Sequence, residues 1–225
     1  MGTLPHAKGV LKMDAGTFPR RMVGTIGRAI VRARYAILSV AGTYVVSIVI
    51  GMILVHMGNA YSLSYRDQIV GQANQPDNAI TQASNQGNNV RAALLDAGSN
   101  LLQSTVPKTV MGLGIVFPYP WVAFQGWIGG IVSVRNDHTS RFNDPRSAAY
   151  LVLTLLMQVI PFSLATGAGV NVGVAMFRPA PYYQGEKLLG LFPKEALLDV
   201  GRIYLLVVPL LLVASLFEFM SPWNI

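Results

Sequence analysis

Residues 35–58 read YAILSVAGTYVVSIVIGMILVHMG, with no Asp, Glu, Lys or Arg among them. At about 1.5 Å per helical residue, such a run crosses a hydrocarbon core about 30 Å thick with some tilt. A membrane-spanning helix is therefore the first element, and the rest of the chain is read from it. The composition agrees. The 225 residues are 52% apolar and 12% charged, where a soluble domain carries about 25% charged residues. Mean hydropathy is +0.44. The fold class is an all-α polytopic bundle of about five membrane helices, some of them short or broken by Pro.

The segment before the span holds most of the net charge of +7: Lys8, Lys12, Arg20, Arg21, Arg28, Arg32 and Arg34 stand against one acid, Asp14. Basic residues beside a first span hold the N-terminus in the cytoplasm and attract anionic headgroups. Arg20, Arg21, Arg28, Arg32 and Arg34 are the candidate lipid contacts. No aromatics interleave the arginines as a nucleic-acid surface requires, so the charge points to topology and lipid rather than to nucleic acid. Residues 1–18 read as a loose tail. Residues 19–34 are either an amphipathic helix in the headgroup layer or an extension of span 1. The apolar run starts too late and runs too long for a cleaved signal peptide. Within the span, Gly42 and Gly51 are flat places for helix approach.

Beyond the span the chain changes character. Residues 59–99 are rich in Asn, Gln and Gly and nearly neutral, as expected of an outer loop. Short helices fit within it, one of them placing Val90, Leu94, Ala97 and Leu101 on one side. Residues 100–134 are apolar again, with Pro118 and Pro120 breaking the helix at FPYP. A tight helical hairpin is the favoured form, and a single kinked span is the alternative. Residues 135–148 are a polar loop. Asp137, His138 and Asp144 match no metal-ligand spacing there.

The next apolar run, 149–177, contains Pro161 and then Gly167, Gly169, Asn171 and Gly173. It is either one kinked span or a span followed by a re-entrant piece. Its small-residue half suits close helix packing. Residues 186–199 read as a short interfacial helix. The last span is 201–220, opened by Arg202 and closed by Glu218, with Trp223 at the interface. Arg202 and Glu218 lie roughly 24 Å apart along one helix, so they do not pair. Glu218 is either a half-solvated interfacial acid or a carboxylate bonded to another helix or subunit.

No catalytic signature is present: H-E-x-x-H, G-x-S-x-G, the P-loop and the dinucleotide fingerprint are all missing from the sequence. The chain has no Cys, which excludes disulfides and thiolate metal sites. The spans as delimited contain none of the buried acids that a proton relay uses. No enzyme activity and no cofactor are expected.

Three stretches carry a family likeness: GRIYLLVVPLLLVASLFEFMSP (201–222), VIPFSLATGAGVNVG (159–173), and the pair SNLLQ (99–103) with GLGI (112–115) and FQGWIGGIVS (124–133). In them the chain resembles the stage II sporulation protein M family of integral membrane proteins. Gln125 stands where that family has an Asn. Phe162 and Ser163 follow Pro161 where it has His and Gly, and its Glu is absent. The resemblance implies an all-helical membrane protein without enzymatic activity, related to one that works with peptidoglycan-degrading partners. Candidate packing or partner contacts are Asn100, Gln125, Gly126, Gly130, Pro161, Gly167, Gly169, Asn171, Arg202 and Glu218.

The expected role is a non-catalytic subunit that scaffolds or anchors a larger assembly in the cytoplasmic membrane of a prokaryote, with other membrane subunits and lipids as partners. A channel or permease component is the alternative, and an anchor for a cell-wall-modifying enzyme is a third reading. The orientation has a direct test. A Cys placed at Asn85 should react with a membrane-impermeant maleimide in intact cells. Reaction only after lysis would reverse the topology.

Overall fold

Residues 35–56 of this run lie within one long helix, α1 (Phe18–His56), in the computed structural model, which describes the backbone of residues 18–221 and the side chains of residues 22–221. The segment 19–34 continues into residues 35–56 as the same helix. The tail with Lys8 and Lys12, the side chains of Arg20 and Arg21, and Trp223 lie outside the described residues. One stripe of α1 is buried: Ala29, Ala33, Ile37, Val40, Tyr44 and Ile48. The i, i+3/i+4 spacing puts them on one face. The other faces expose Leu38, Val45, Val49, Ile50 and Ile53. From Tyr35 to His56 the exposed faces are thus largely apolar as well, as suits a helix long enough to cross a membrane.

The Asn-rich stretch after α1 folds into α2 (Ala60–Ala73), α3 (Ala79–Asn85) and α4 (Asn89–Ser99). Each starts on an asparagine. The side chains of Asn59, Asn78 and Asn88 accept from the N–H groups of Ser62, Ile80 and Arg91 at 2.9, 2.9 and 3.1 Å. A free first-turn N–H is satisfied in each case. In α4 the buried residues are Ala92 and Ala93, whereas Val90 and Leu94, two of the four apolar residues read as lying on one side, are exposed.

From α4 the chain continues without a break through a π-helical segment, Asn100–Thr105, into α5 (Val106–Gly112). The wide turn has a local cause. Pro107 cannot donate to Gln103, and its ring would strike that carbonyl in a regular helix. The Val106 N–H instead reaches back to the Leu101 carbonyl, an i→i+5 bond. The chain reverses at residues 113–117 and returns as α6 (Pro118–Ile131). The hairpin form is therefore present, but its turn precedes the prolines. Pro118 and Pro120 occupy the first turn of α6, where a missing N–H costs nothing. The tight turn holds Ile115 at φ +59°.

Pro161 lies inside α7 (Pro145–Phe177), which runs as one helix, so no re-entrant piece forms. Asp144 caps it, accepting from the N–H groups of Arg146 and Ser147. Residues 186–199 do not form the expected interfacial helix. Residues 187–193 make a short hairpin of two-residue strands, β1 (Lys187–Leu188) with β2 (Phe192–Pro193), turning through Leu189 and Gly190 at φ +53° and +70°, and residues 194–199 belong to the next helix. Gly190 supplies the left-handed backbone, and Pro193 ends any helix before it. α8 then begins at Lys194, ahead of the expected start at 201, and ends at Met220.

The chain is nearly all helical, and α1, α7 and α8 are each long and apolar enough to cross a membrane. The core joins them: Val40 and Tyr44 of α1, Val122 of α6, Phe162 and Ala165 of α7, and Ile203 and Val207 of α8. α1, α6, α7 and the α4–α5 path lie side by side around it. One end carries Arg28, Arg32, Arg34, Arg178 and Lys194. At the other, α2 pins the 132–144 loop: Arg66, itself buried, donates to the Val134 carbonyl at 3.3 Å and to Asn136 Oδ1 at 2.7 Å. Arg66 also holds Asp67, with His138 2.9 Å from the same carboxylate, which keeps the Asp67 carboxyl below its ordinary range.

Two backbone crossings set the helix spacing. At one, Gly51 of α1 meets Gly130 of α6; at the other, Gly112 of α5 meets Gly169 of α7. Gly42, the other flat place expected on α1, faces open space. A Cβ on Gly130 would lie 2.8 Å from the Met52 nitrogen and 2.9 Å from the Gly51 Cα. Gly130→Ala should therefore lower stability by about 1–3 kcal/mol, read as a drop in melting temperature in detergent. Gly42→Ala should leave it unchanged.

Candidate functional site

Lys108 lies in α5, inside the apolar bundle, and is 1% exposed. One turn earlier, Ser104 of the π segment lies on the same helix face. The ammonium donates to Ser104 Oγ at 2.7 Å, to the Tyr44 hydroxyl at 3.2 Å and to Gln125 Oε1. Its Nζ lies 4.3 Å from the centre of the Phe162 ring. The acceptors are themselves joined. The Tyr44 hydroxyl donates to Gln125 Oε1 at 2.9 Å, and Gln125 Nε2 donates to Ser104 Oγ at 3.1 Å. The cluster thus draws on α1, the π segment, α5, α6 and α7.

Its energetics follow from charge and burial. A lysine at the middle of a membrane helix costs about 2.5–3.5 kcal/mol on insertion scales. Each hydrogen bond to a charged group returns about 1.5–3 kcal/mol, and a dry cation–π contact adds about 2. Three oxygens and a ring therefore hold the cation. None of those oxygens carries a charge, and no carboxylate among the described residues forms an ion pair with it.

Beside this cluster is a cavity of about 310 Å³. Tyr44, Gln125 and Phe162 form one part of its wall, and Asn100, Gln158 and Glu218 another. Gln158 donates to Glu218 Oε2 at 3.1 Å, and the Tyr150 hydroxyl donates to the Glu218 backbone carbonyl at 3.2 Å. Asn100 donates to Asp96 Oδ2 at 2.9 Å, and Ser215 donates to the same oxygen at 2.7 Å. Gln158 and Phe162 are one helical turn apart, so the carboxylate part of the wall is displaced from the ammonium by about 6 Å along α7. The cavity wall therefore carries Tyr44 and Gln125, two of the acceptors of the Lys108 ammonium, at one level and the Glu218 carboxylate about a turn away, while Lys108 itself lies behind the wall.

A second polar cluster lies at the basic end. Arg32 reaches Glu195 at 3.1 Å and Asp199 at 3.2 Å, and Arg202 reaches each of them at 2.5 Å. Asp199 is 2% exposed. The Tyr183 hydroxyl donates to it at 3.0 Å and accepts from Asn171 at 2.8 Å. Two cations and two anions close on each other here, which makes this a clasp between α1, α7 and α8.

Of the residues singled out in the sequence, Asn100, Gln125 and Glu218 come together at the cavity. Gly126 and Gly130 lie on the α1 contact, Gly167 against Ile37 of α1, and Gly169 against α5. Pro161 is buried in α7. Asn171 and Arg202 join the clasp. Arg32 is turned onto the α8 carboxylates, whereas Arg28 and Arg34 are exposed, Arg34 lying 4.7 Å over the Tyr35 ring. The expectation of spans without buried acids is corrected: Asp199 lies inside α8, and Asp96 and Glu218 are half-buried against neighbouring helices. Lys108 was the missed residue. A lone Lys within an apolar run is itself a signal, here obscured by the adjoining Pro107.

Neither a family model, nor a curated protein, nor a solved structure matches this chain.

The network fixes the signs of two substitutions. Lys108→Met removes the ammonium and leaves the bonds among Tyr44, Gln125 and Ser104 in place. Its melting temperature in detergent should equal or exceed that of the native chain. Gln125→Leu leaves the ammonium short of an acceptor and should cost about 1–3 kcal/mol. The reverse order would mean that Lys108 is bridging a further group.

Proposed function

We propose that the chain is an integral membrane protein of five membrane helices, α1, the α4–α5 path, α6, α7 and α8, and that it serves as a permease component for a small dipolar solute. The observation that carries this reading is Lys108: a buried ammonium, held by the neutral oxygens of Tyr44, Ser104 and Gln125, behind the wall of a cavity that Tyr44, Gln125 and Glu218 line. Ionisable groups inside a membrane bundle mark solute or proton pathways. A solute with one anionic and one cationic group matches both poles. Its anionic group would supply the counter-charge that Lys108 lacks, and its cationic group would face Glu218. The cavity of about 310 Å³ suits a molecule the size of an amino acid.

Supporting the placement in a membrane are the lipid-suited faces of α1, α7 and α8. Supporting a cytoplasmic basic end, in the inner membrane of a prokaryote, is the charge asymmetry between the ends. The likeness to the sporulation protein M family belongs to the same proposal. A non-catalytic chain fits both a permease component and the scaffold expected from the sequence. The scaffold is the second reading, favoured by the exposed apolar row Val90, Leu94 and Leu102 along the α4–α5 path.

The test is transport by the full chain in proteoliposomes on a solid-supported membrane. The probes are glycine, alanine, leucine, glutamine and glycine betaine, with entrapped pyranine reporting proton movement. At least one probe should give a saturable response, and Lys108→Met should reduce it at least about tenfold, a barrier change of about 1.4 kcal/mol. Silence for every probe from correctly folded native protein would remove the permease reading in favour of the scaffold.

A further inference from the structure

A second cavity, of about 360 Å³, lies at the basic end between α1, the 113–117 turn and the C-terminal part of α7. Its wall changes character from one side to the other. Ile115, Val170 and Val174 are apolar, and the exposed Val116, Phe117 and Phe177 continue that surface outward. The polar side carries Arg178, Tyr119 and Tyr182.

The charges on this wall are not equivalent. Arg32 also lines it, but its guanidinium is committed to Glu195 and Asp199, and it lies 5.2 Å over the Tyr182 ring. The Tyr119 hydroxyl is tied to Ser39 at 2.5 Å. Arg178 is exposed, and its side chain has no hydrogen-bond or ion-pair partner among the described residues. The groove thus offers one uncommitted cation at the mouth of an apolar trough, with tyrosines at the boundary. Aromatic residues of this kind sit at headgroup depth, and basic pockets between membrane helices on the cytoplasmic side hold anionic headgroups.

We propose that this groove binds one anionic phospholipid, its phosphate on Arg178 and an acyl chain along Ile115 and Val174. Charge selects the lipid class. A zwitterionic headgroup brings its own cation and gains less from Arg178. Shape selects lipid over a soluble phosphate ester, which would leave the apolar wall uncovered. The site is separate from the Lys108 cavity, and the proposal rests only on the chain lying in a membrane.

The full chain, purified in mild detergent, is incubated with equal amounts of phosphatidylglycerol and phosphatidylcholine, and retained lipid is counted by native mass spectrometry. One phosphatidylglycerol should be retained per chain in preference to phosphatidylcholine. Arg178→Gln should lower that retention about five- to tenfold, and Arg178→Lys should restore most of it. Lys187→Gln, a charge change in the β1–β2 hairpin away from the groove, should leave it intact. Millimolar glycerol 3-phosphate should not displace the lipid. Equal retention of the two lipids, or full retention by Arg178→Gln, would overturn the proposal. Displacement by glycerol 3-phosphate would also overturn it and make the groove a soluble phosphate site.

Discussion

The ammonium of Lys108 constrains more of this molecule than any other single group. Buried between helices, it requires several oxygens at hydrogen-bond distance at once. Those oxygens come from Tyr44 on α1, Ser104 on the π segment and Gln125 on α6, and α7 adds the Phe162 ring. Each helix must present that residue at the same depth and in the right rotation. The glycine crossings serve the same requirement. Side chains as short as Ser and Gln reach the ammonium only where backbones nearly touch, as at Gly51–Gly130 and Gly112–Gly169. Small residues and buried charge are two parts of one arrangement.

The two polar clusters differ in kind because they differ in charge balance. Near the basic end, Arg32 and Arg202 meet Glu195 and Asp199, so the charges cancel within the cluster. Such a clasp fixes helix rotation and leaves no net field to attract a ligand. Within the bundle, Lys108 meets only neutral oxygens, and the carboxylates of Asp96 and Glu218 are held on Asn100, Ser215 and Gln158. Here the charges do not cancel within the cluster, and the cation and the carboxylates are held on separate sets of neutral partners. The same comparison distinguishes Arg32 from Arg178 on the groove wall: one is neutralised internally, and the other remains available.

Much of this was legible in the sequence, and the remainder has identifiable physical reasons. The charge-free run 35–58 marks by itself a helix long and apolar enough to cross a membrane, since composition and length decide it. Asn100, Gln125 and Glu218 could be singled out as polar residues in apolar surroundings. Their convergence could not, because it depends on helix rotation about axes that no local pattern specifies. Pro118 and Pro120 looked like the cause of the hairpin, yet proline is tolerated at a helix start, and the reversal lies just before them. Pro107 had the larger effect, through the carbonyl four residues earlier. The hairpin at 187–193 was hidden by leucines at helical spacing, with Gly190 and Pro193 as the overlooked signals. The start of α8 at Lys194 brought Asp199 into the last long helix, whose apolar run the sequence reading began only at 201.

The π segment, six residues from Asn100 to Thr105, has a consequence for chain length. A π turn amounts to one extra residue accommodated inside a helix, and each residue turns the helix by about 100°. Asp96 lies before the segment and Lys108 after it, each directed to its own partners. Deleting one residue within the segment would restore a regular helix and leave the two faces in register, because the wide turn already absorbs that residue. Deleting one from the regular turns on either side would instead rotate Asp96 and Lys108 relative to each other by about 100°, and either Asp96 would lose Ser215 or Lys108 would lose Gln125. The segment therefore acts as slack in the chain: it holds the one residue that can be removed without turning either cluster away from its partners.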